Sequence, residues 1–560
     1  MLIGKRQLIA ALLFMVSVGT AAAQGLLGGS VTGNVQMDCQ MSRADSTIGA
    51  RDVDERFLMN ARADILYRNG GFSAGLRFEM YQNPLLGFDP RYKGQGLANY
   101  FMAWDGERLS VTAGHFYEQF GGGLILRTYE DRYLGLDNAL LGMRVVARPW
   151  DGVTLKAVVG RQRFFWDYGE GLVRGVDAEV DVPRVVESLK GGWPQGLRLT
   201  VGGGFVSRYQ PTEQVAAAVP GYTLNLPLNV GAGALRAEVG YKGWSLQGEY
   251  ARKGHDPNLV NGYIYRIGEA LTLTAGYSQR GFSAQLQAKR VDDMGFKSVR
   301  SQSGEMLYIN YLPAITKNHT YAFLSMYPYA TQVNGEEGLQ GDVMFKLKKG
   351  TALGGKYGTD VHIEASVATL LDTAVTGGAG TGGYTVNNGG LGDLLYGEAT
   401  VEVQRKLSKN VKLAATYGYQ VFNPLVENEH GELHHNNVVV ADLSWKVNKR
   451  HALRFEGEWL GSDSRYDASD PEHADRRAGD WLMGLVEWTV GSHWFLSLSE
   501  QVPYRDGVGN YFSVAVGYTG GATRVQLGYG KQREGMLCVG GVCRPVPASN
   551  GLTLSLTTSF

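Results

Sequence analysis

The chain has 560 residues, and its 54 Lys and Arg balance its 54 Asp and Glu, so net charge gives it no pull toward nucleic acid or an acidic partner. With 78 Gly and 30 Tyr but only 3 Cys, it is not a disulfide-stapled secreted scaffold. Beyond its N-terminal region no unbroken apolar run reaches the ~18 residues that a transmembrane helix needs.

Lys5 and Arg6 precede an apolar run from Leu8 to Val18, and Ala21, Ala22 and Ala23 stand before Gln24. This is the order of a secretory signal peptide, expected to span residues 1–23. No Cys stands just after the expected cleavage point, so a lipid anchor there is not expected. Residues 24–560 are expected to form a single domain, since no linker divides them.

The mature chain repeats one design, a two-residue alternation that predicts strands with one apolar and one polar face. Val31, Gly33, Val35, Met37 and Cys39 oppose Thr32, Asn34, Gln36, Asp38 and Gln40. Phe57 to Tyr67 alternates with Asn60, Arg62, Asp64 and Arg68, then Asn69-Gly70-Gly71 turns the chain into Phe72, Ala74, Leu76, Phe78 and Met80. Similar patterns surround Trp244–Tyr250, Val411–Val421, Val439–Val447, Leu453–Trp459 and Val525–Tyr529. The chain ends on another strand, in which Leu552, Leu554, Leu556, Thr558 and Phe560 oppose Gly551, Thr553, Ser555, Thr557 and Ser559.

Short and long connections alternate between these strands. Short turns are expected at 69–71, 105–108, 150–152, 242–243, 280–281, 408–410, 448–450, 491–493 and 519–521. Longer Gly-, Asn-, Asp- and Pro-rich connections are expected at 83–96, 210–227, 373–393, 423–435 and 461–477. The fold class read from this is an all-β transmembrane antiparallel barrel of roughly 26 strands (about 22 to 28), with short periplasmic turns and long extracellular loops. Segments 121–141 and 182–196 fit that count least well. Trp445, Trp459, Trp488, Trp494, Tyr518 and Tyr529 lie on apolar faces near strand ends, as an interfacial aromatic girdle would.

On these features the chain resembles the large outer-membrane barrels of Gram-negative bacteria. The run Gly121-Gly-Gly-Leu-Ile-Leu-Arg-Thr-Tyr129 is most similar to an uncharacterised barrel family of the Bacteroidota, which carries no established function. The closing strand resembles the signal read by the barrel-assembly machinery, with Phe560 as its terminal aromatic. The resemblance implies residence in the cell outer membrane, with outer-membrane lipid and that machinery as partners, and other outer-membrane or periplasmic subunits as further candidates. The sequence departs from plugged import barrels, because no soluble plug of ~100 residues precedes its first strand. Energy-coupled import is therefore not expected.

Among residues that could carry chemistry, Arg127, Glu130, Asp131, Arg132 and Asp137 lie beside Leu124, Ile125 and Leu126 in a stretch too long for one strand and turn. Folded inward, they form a lumen constriction of mixed charge; left outside, they belong to an ordinary loop. His430, His434 and His435 share a loop with Glu427, Glu429 and Glu432, and the next loop offers Asp470, Glu472, His473 and Asp475. Their spacing matches no fixed ligand pattern, so no metal is assigned. Cys538 and Cys543 are expected to close a small loop disulfide, leaving Cys39 over. No nucleophile motif or phosphate-binding glycine loop stands in a suitable context, so no cofactor is expected and the protein is not read as an enzyme. The function read from architecture is a porin-like channel for small hydrophilic solutes or the membrane component of a surface complex. The alternative is a non-conducting scaffold whose loops bind a partner.

Overall fold

Twenty-four antiparallel strands, bonded to one another in chain order, form one closed sheet in a computed structural model of the chain. The structure describes residues 28–560 except 218–219, 428, 430, 467–468, 470–474 and 506, so the expected signal peptide lies outside the described residues. The ring closes where Ser30–Arg43 pairs with Ser549–Ser559, from Asn34 opposite Ser559 to Arg43 opposite Asn550. Closure leaves the wall no free edge, so its backbone groups bond within it rather than to water.

The strands number 24 rather than roughly 26 because two stretches, 117–139 and 293–334, turn into the lumen instead of crossing the wall. Between two strands, Val182–Ser188 is a helix, started by Asp181, whose carboxylate accepts from the Arg184 N–H, and by a proline in its first turn. Each short turn named above joins consecutive strands at one end of the barrel. At 242–243 both residues take positive φ, 46° and 90°, the mirror-image turn that suits the twist of a hairpin. The longer connections named above lie at the other end, which also carries the two-residue link at 165–166, while 182–196 and 348–358 lie at the short-turn end. The expected long connection at 373–393 is mostly strand. Thr359–Val375 and Tyr384–Lys406 pair as far as Val375 opposite Tyr384, leaving only 376–383 between them.

The outward face is apolar and bare. Met102 is 64%, Leu235 73% and Leu246 55% exposed, and Trp104, Trp150, Trp244, Trp445, Trp488 and Trp494 stand exposed near the short-turn end. The inward face is not polar throughout, as strict alternation implies. Along Asn229–Tyr241 it runs Val230, Ala232 and Ala234, all buried, and then Arg236 and Glu238. Along this strand the inward face is therefore apolar toward the long-loop end and charged toward the short turns.

The inward segments account for this gradient. Phe120, Leu124, Ile125 and Leu126 pack with Met294, Phe296, Ile309 and Leu312 against Val173, Val206, Val230 and Val291 of the wall. Farther along, Ile315, Phe323, Leu324, Met326 and Tyr327 pack against Ala368, Phe422, Val438, Val440 and Trp481. Segment 293–334 thus crosses the lumen and meets the wall on both sides. Each large apolar side chain so buried contributes ~1.5–3 kcal/mol, so the segment is held chiefly by its Phe, Leu, Ile and Met residues.

Irregular backbone inside a barrel needs polar partners, and these come from two sources. The segments bond each other: the Arg127 N–H donates to the Ile309 carbonyl (2.8 Å), and the Tyr311 N–H to the Gly123 carbonyl (3.0 Å). The wall supplies carboxylates. Glu458 accepts from the N–H groups of Ala322 (2.9 Å) and Phe323 (2.8 Å), and Glu249 from that of Gly122 (2.6 Å). A third piece, the hairpin Gly535–Val539 with Val542–Val546, carries the Cys538–Cys543 bond and rests its tip on the crossing segment. There the Tyr311 hydroxyl donates to the Gly540 carbonyl (2.6 Å) and the Thr331 N–H to that of Gly541 (3.0 Å).

At the seam Gly33 and Phe560 exchange backbone hydrogen bonds of 3.0 Å, and the Phe560 ring lies over Gly33, where an added Cβ would come within 2.1 Å of it. Gly33→Leu is therefore expected to displace the ring and destabilise the barrel by ~1–3 kcal/mol. A lowered unfolding temperature on semi-native gels is the expected result, and an unchanged temperature would contradict this account of the seam.

Candidate functional site

The lumen holds a cleft beside the seam. Its volume is about 640 Å³, and it runs from Leu86, Phe88 and Pro547 at the long-loop end to Arg524 and Thr557 toward the short turns. The wall lines it with Gln36, Asp38 and Gln40 of the first strand and with Gln526 and Ser555 near the last. Its opposite side is the inward segment 117–139.

A small hairpin forms that side. Glu130–Asp131 pairs with Leu136–Asp137, Glu130 lying opposite Asp137, and the turn is closed by the Leu134 N–H donating to Asp131 (2.9 Å). Pairing sets the Glu130 and Asp137 carboxylates side by side, which is unfavourable unless cations meet them. Three wall arginines do so. Arg62 and Arg77 (3.2 Å) contact Glu130, while Arg163 (2.7 Å) and Arg77 (3.6 Å) contact Asp137. The same arginines also engage wall carboxylates: Arg62 and Arg77 contact Asp64 (3.1 and 2.6 Å), and Arg163 contacts Glu79 (2.6 Å). The result is a buried network of three guanidinium groups and four carboxylates that fixes the hairpin to the wall. Burial pushes the Glu130 carboxyl above its ordinary range, although Arg77 and Arg62 pull it down.

The five residues expected to narrow the lumen divide in their roles. Glu130, Asp131, Arg132 and Asp137 line the cleft. Arg132 reaches across it to donate to Gln36 (2.8 Å), and Arg544 reaches over to donate to the Tyr133 carbonyl (2.6 Å). Arg127 does not line it; its guanidinium is stacked on the Tyr311 ring (3.9 Å) and near that of Tyr129 (4.8 Å), away from the cleft. Arg62, Glu79 and Arg163 were not singled out by the motif reading. A signal for two of them exists in the register: Arg62 sits opposite Glu79 and Asp64 opposite Arg77, complementary pairs on the inward parity of one hairpin.

Among the other residues considered, His430, Asp470, Glu472 and His473 lie outside the described residues. His434 and His435 do not converge. His434 turns inward between Tyr327 and Phe422, whereas His435 turns outward and meets the Tyr419 hydroxyl (2.8 Å). Glu427 is engaged by Arg477 (2.7 Å).

A family model described as "Family of unknown function (DUF6029)" matches residues 4–560. No curated protein matches the chain. Among solved structures it is similar to the siderophore receptor PirA from Pseudomonas aeruginosa, at 11% identity and a TM-score of 0.44, with 95% of this chain and 80% of that one covered. It is also similar to a mutant of the ferric enterobactin receptor PfeA from the same organism, at 11% identity and a TM-score of 0.42 with the same coverage. The translocation pore of the P pilus usher PapC matches at 10% identity and a TM-score of 0.38, covering 95% of this chain and 99% of that one.

Arg163→Met leaves Glu79 and Asp137 without their nearest cation and is expected to cost ~3–5 kcal/mol, by analogy with other broken buried pairs. Adding Glu79→Leu is expected to recover part of that loss. Denaturant melts of the two variants, with trypsin cleavage at Arg132 as a local probe, test this; purely additive losses would contradict it.

Proposed function

Because the chain belongs to the DUF6029 family, whose description assigns no activity, we propose from its own geometry that it is an outer-membrane barrel with a restricted polar passage for small hydrophilic solutes. The observation that carries the reading is the cleft beside the seam, lined by both signs of charge. Membrane residence is supported by the bare apolar belt and by the exposed tryptophans near the short-turn end, which no other part of the chain covers among the described residues. The expected signal peptide and terminal Phe560 agree with export and assembly there.

Size and charge set what passes. A cleft of about 640 Å³ with Arg132, Arg524 and Arg544 near Asp38 and Glu130 suits small polar or zwitterionic solutes and rejects bulky ones. No nucleophile with an adjacent base was identified in it, and an enzymatic role is not proposed. A second reading, a sealed scaffold that binds a partner through its loops, is favoured by the bonds that Arg132 and Arg544 make across the cleft.

Single-channel recording of the refolded protein in planar bilayers separates the two. The passage reading expects conductance well below that of an empty barrel of this width, and a several-fold rise in Arg132→Ala combined with Arg544→Ala. Silence in both proteins would overturn it in favour of the sealed scaffold.

A further inference from the structure

Away from the seam, the far end of segment 293–334 brings His319 against two carboxylates of the wall. Glu364 on Thr359–Val375 and Glu398 on Tyr384–Lys406 are buried, and one ligand atom from each of the three residues lies within 4.8 Å of the others. The His319 side chain is only 7% exposed. Its Nε2 lies 2.6 Å from a Glu398 oxygen, yet no hydrogen bond joins them. A nitrogen and an oxygen that close without donor-to-acceptor alignment fit two lone pairs directed at one point.

The surroundings add one unspent oxygen donor. Ser366 sits opposite Glu398 in the register, so the two share the inward face. Ser366 is 5% exposed, and its hydroxyl makes no hydrogen bond. On the next strand Gln420 turns its amide N–H toward Glu398 (3.0 Å). An orphaned polar atom is costly inside a protein, and this one stands where two carboxylates already crowd together.

We propose that His319, Glu364 and Glu398 bind a divalent first-row transition-metal cation, with Ser366 as a neighbouring oxygen donor. One imidazole and two carboxylates, without a thiolate, suit Zn²⁺ or Mn²⁺ better than a soft cation. Two positive charges offset both carboxylates. The ligands come from two parts of the chain, His319 from the crossing segment and the glutamates from the wall, so the ion latches one to the other.

The test uses the full chain in detergent, stripped with a chelator and titrated with ZnCl₂ and with MnCl₂ by calorimetry, with bound metal counted by mass spectrometry. The expected result is one equivalent per chain, with a raised unfolding temperature. His319→Ala and Glu364→Gln should each weaken binding by at least about tenfold. His362→Ala, a nearby histidine paired with Asp342 (2.5 Å), should leave binding unchanged. Semi-native gels establish that each variant still forms the barrel. Absence of uptake, uptake equal in all variants, or loss of binding on His434→Ala instead of His319→Ala would overturn the proposal. The bilayer recordings read conduction without reference to bound metal, so the two readings can fail separately.

Discussion

A sheet that closes on itself has no unpaired edge, and in this protein closure takes twenty-four strands. That requirement sets everything inside it. A small barrel is filled by its own inward side chains, but one this wide encloses more space than they can reach across. The chain fills the excess with itself. Two of its connections turn inward, and the wall residues facing them become apolar where packing demands it, as at Val230, Ala232 and Ala234.

The inward segments are held by two kinds of force that divide the work. Apolar clusters supply most of the free energy, one around Phe120 to Leu126 and another around Phe323 to Tyr327. Polar contacts decide where the segments sit, because a buried N–H or carboxylate is tolerated only where its partner stands. Glu458 receives two backbone N–H groups, and the arginines at 62, 77 and 163 receive Glu130 and Asp137. Displacing either segment would strand those groups. The carboxylates of the cleft's hairpin side are met by the wall arginines at 62, 77 and 163, while Arg132 and Arg544 bond across the space.

The wall was legible in the sequence because alternation acts over a few residues, and each short turn could be read from its own glycine, asparagine or lysine. The contents of the lumen were not. A strand whose inward residues are apolar at one end looks like a lapse in the pattern unless the covering segment is known. Segment 293–334 gave a partial signal: Phe296, Ile309, Phe323 and Tyr327 are too apolar for a solvated loop, yet they follow no strand period. For the cleft, the hairpin carboxylates could be singled out as a charged cluster. Their arginine partners lie on wall strands, and only the inward turn of the hairpin brings Asp137 to Arg163. Arg127, in the same cluster, was drawn off by Tyr311, a residue nearly two hundred positions away in sequence.

The seam joins residues 524 positions apart, as in the bond from Asn34 to the Thr558 carbonyl. Contacts of such separation carry the highest loop-closure cost in the ring. The first and last strands are also one wall of the cleft. The cleft, whose lining is drawn from both strands of the seam, is therefore complete only once the ring has closed.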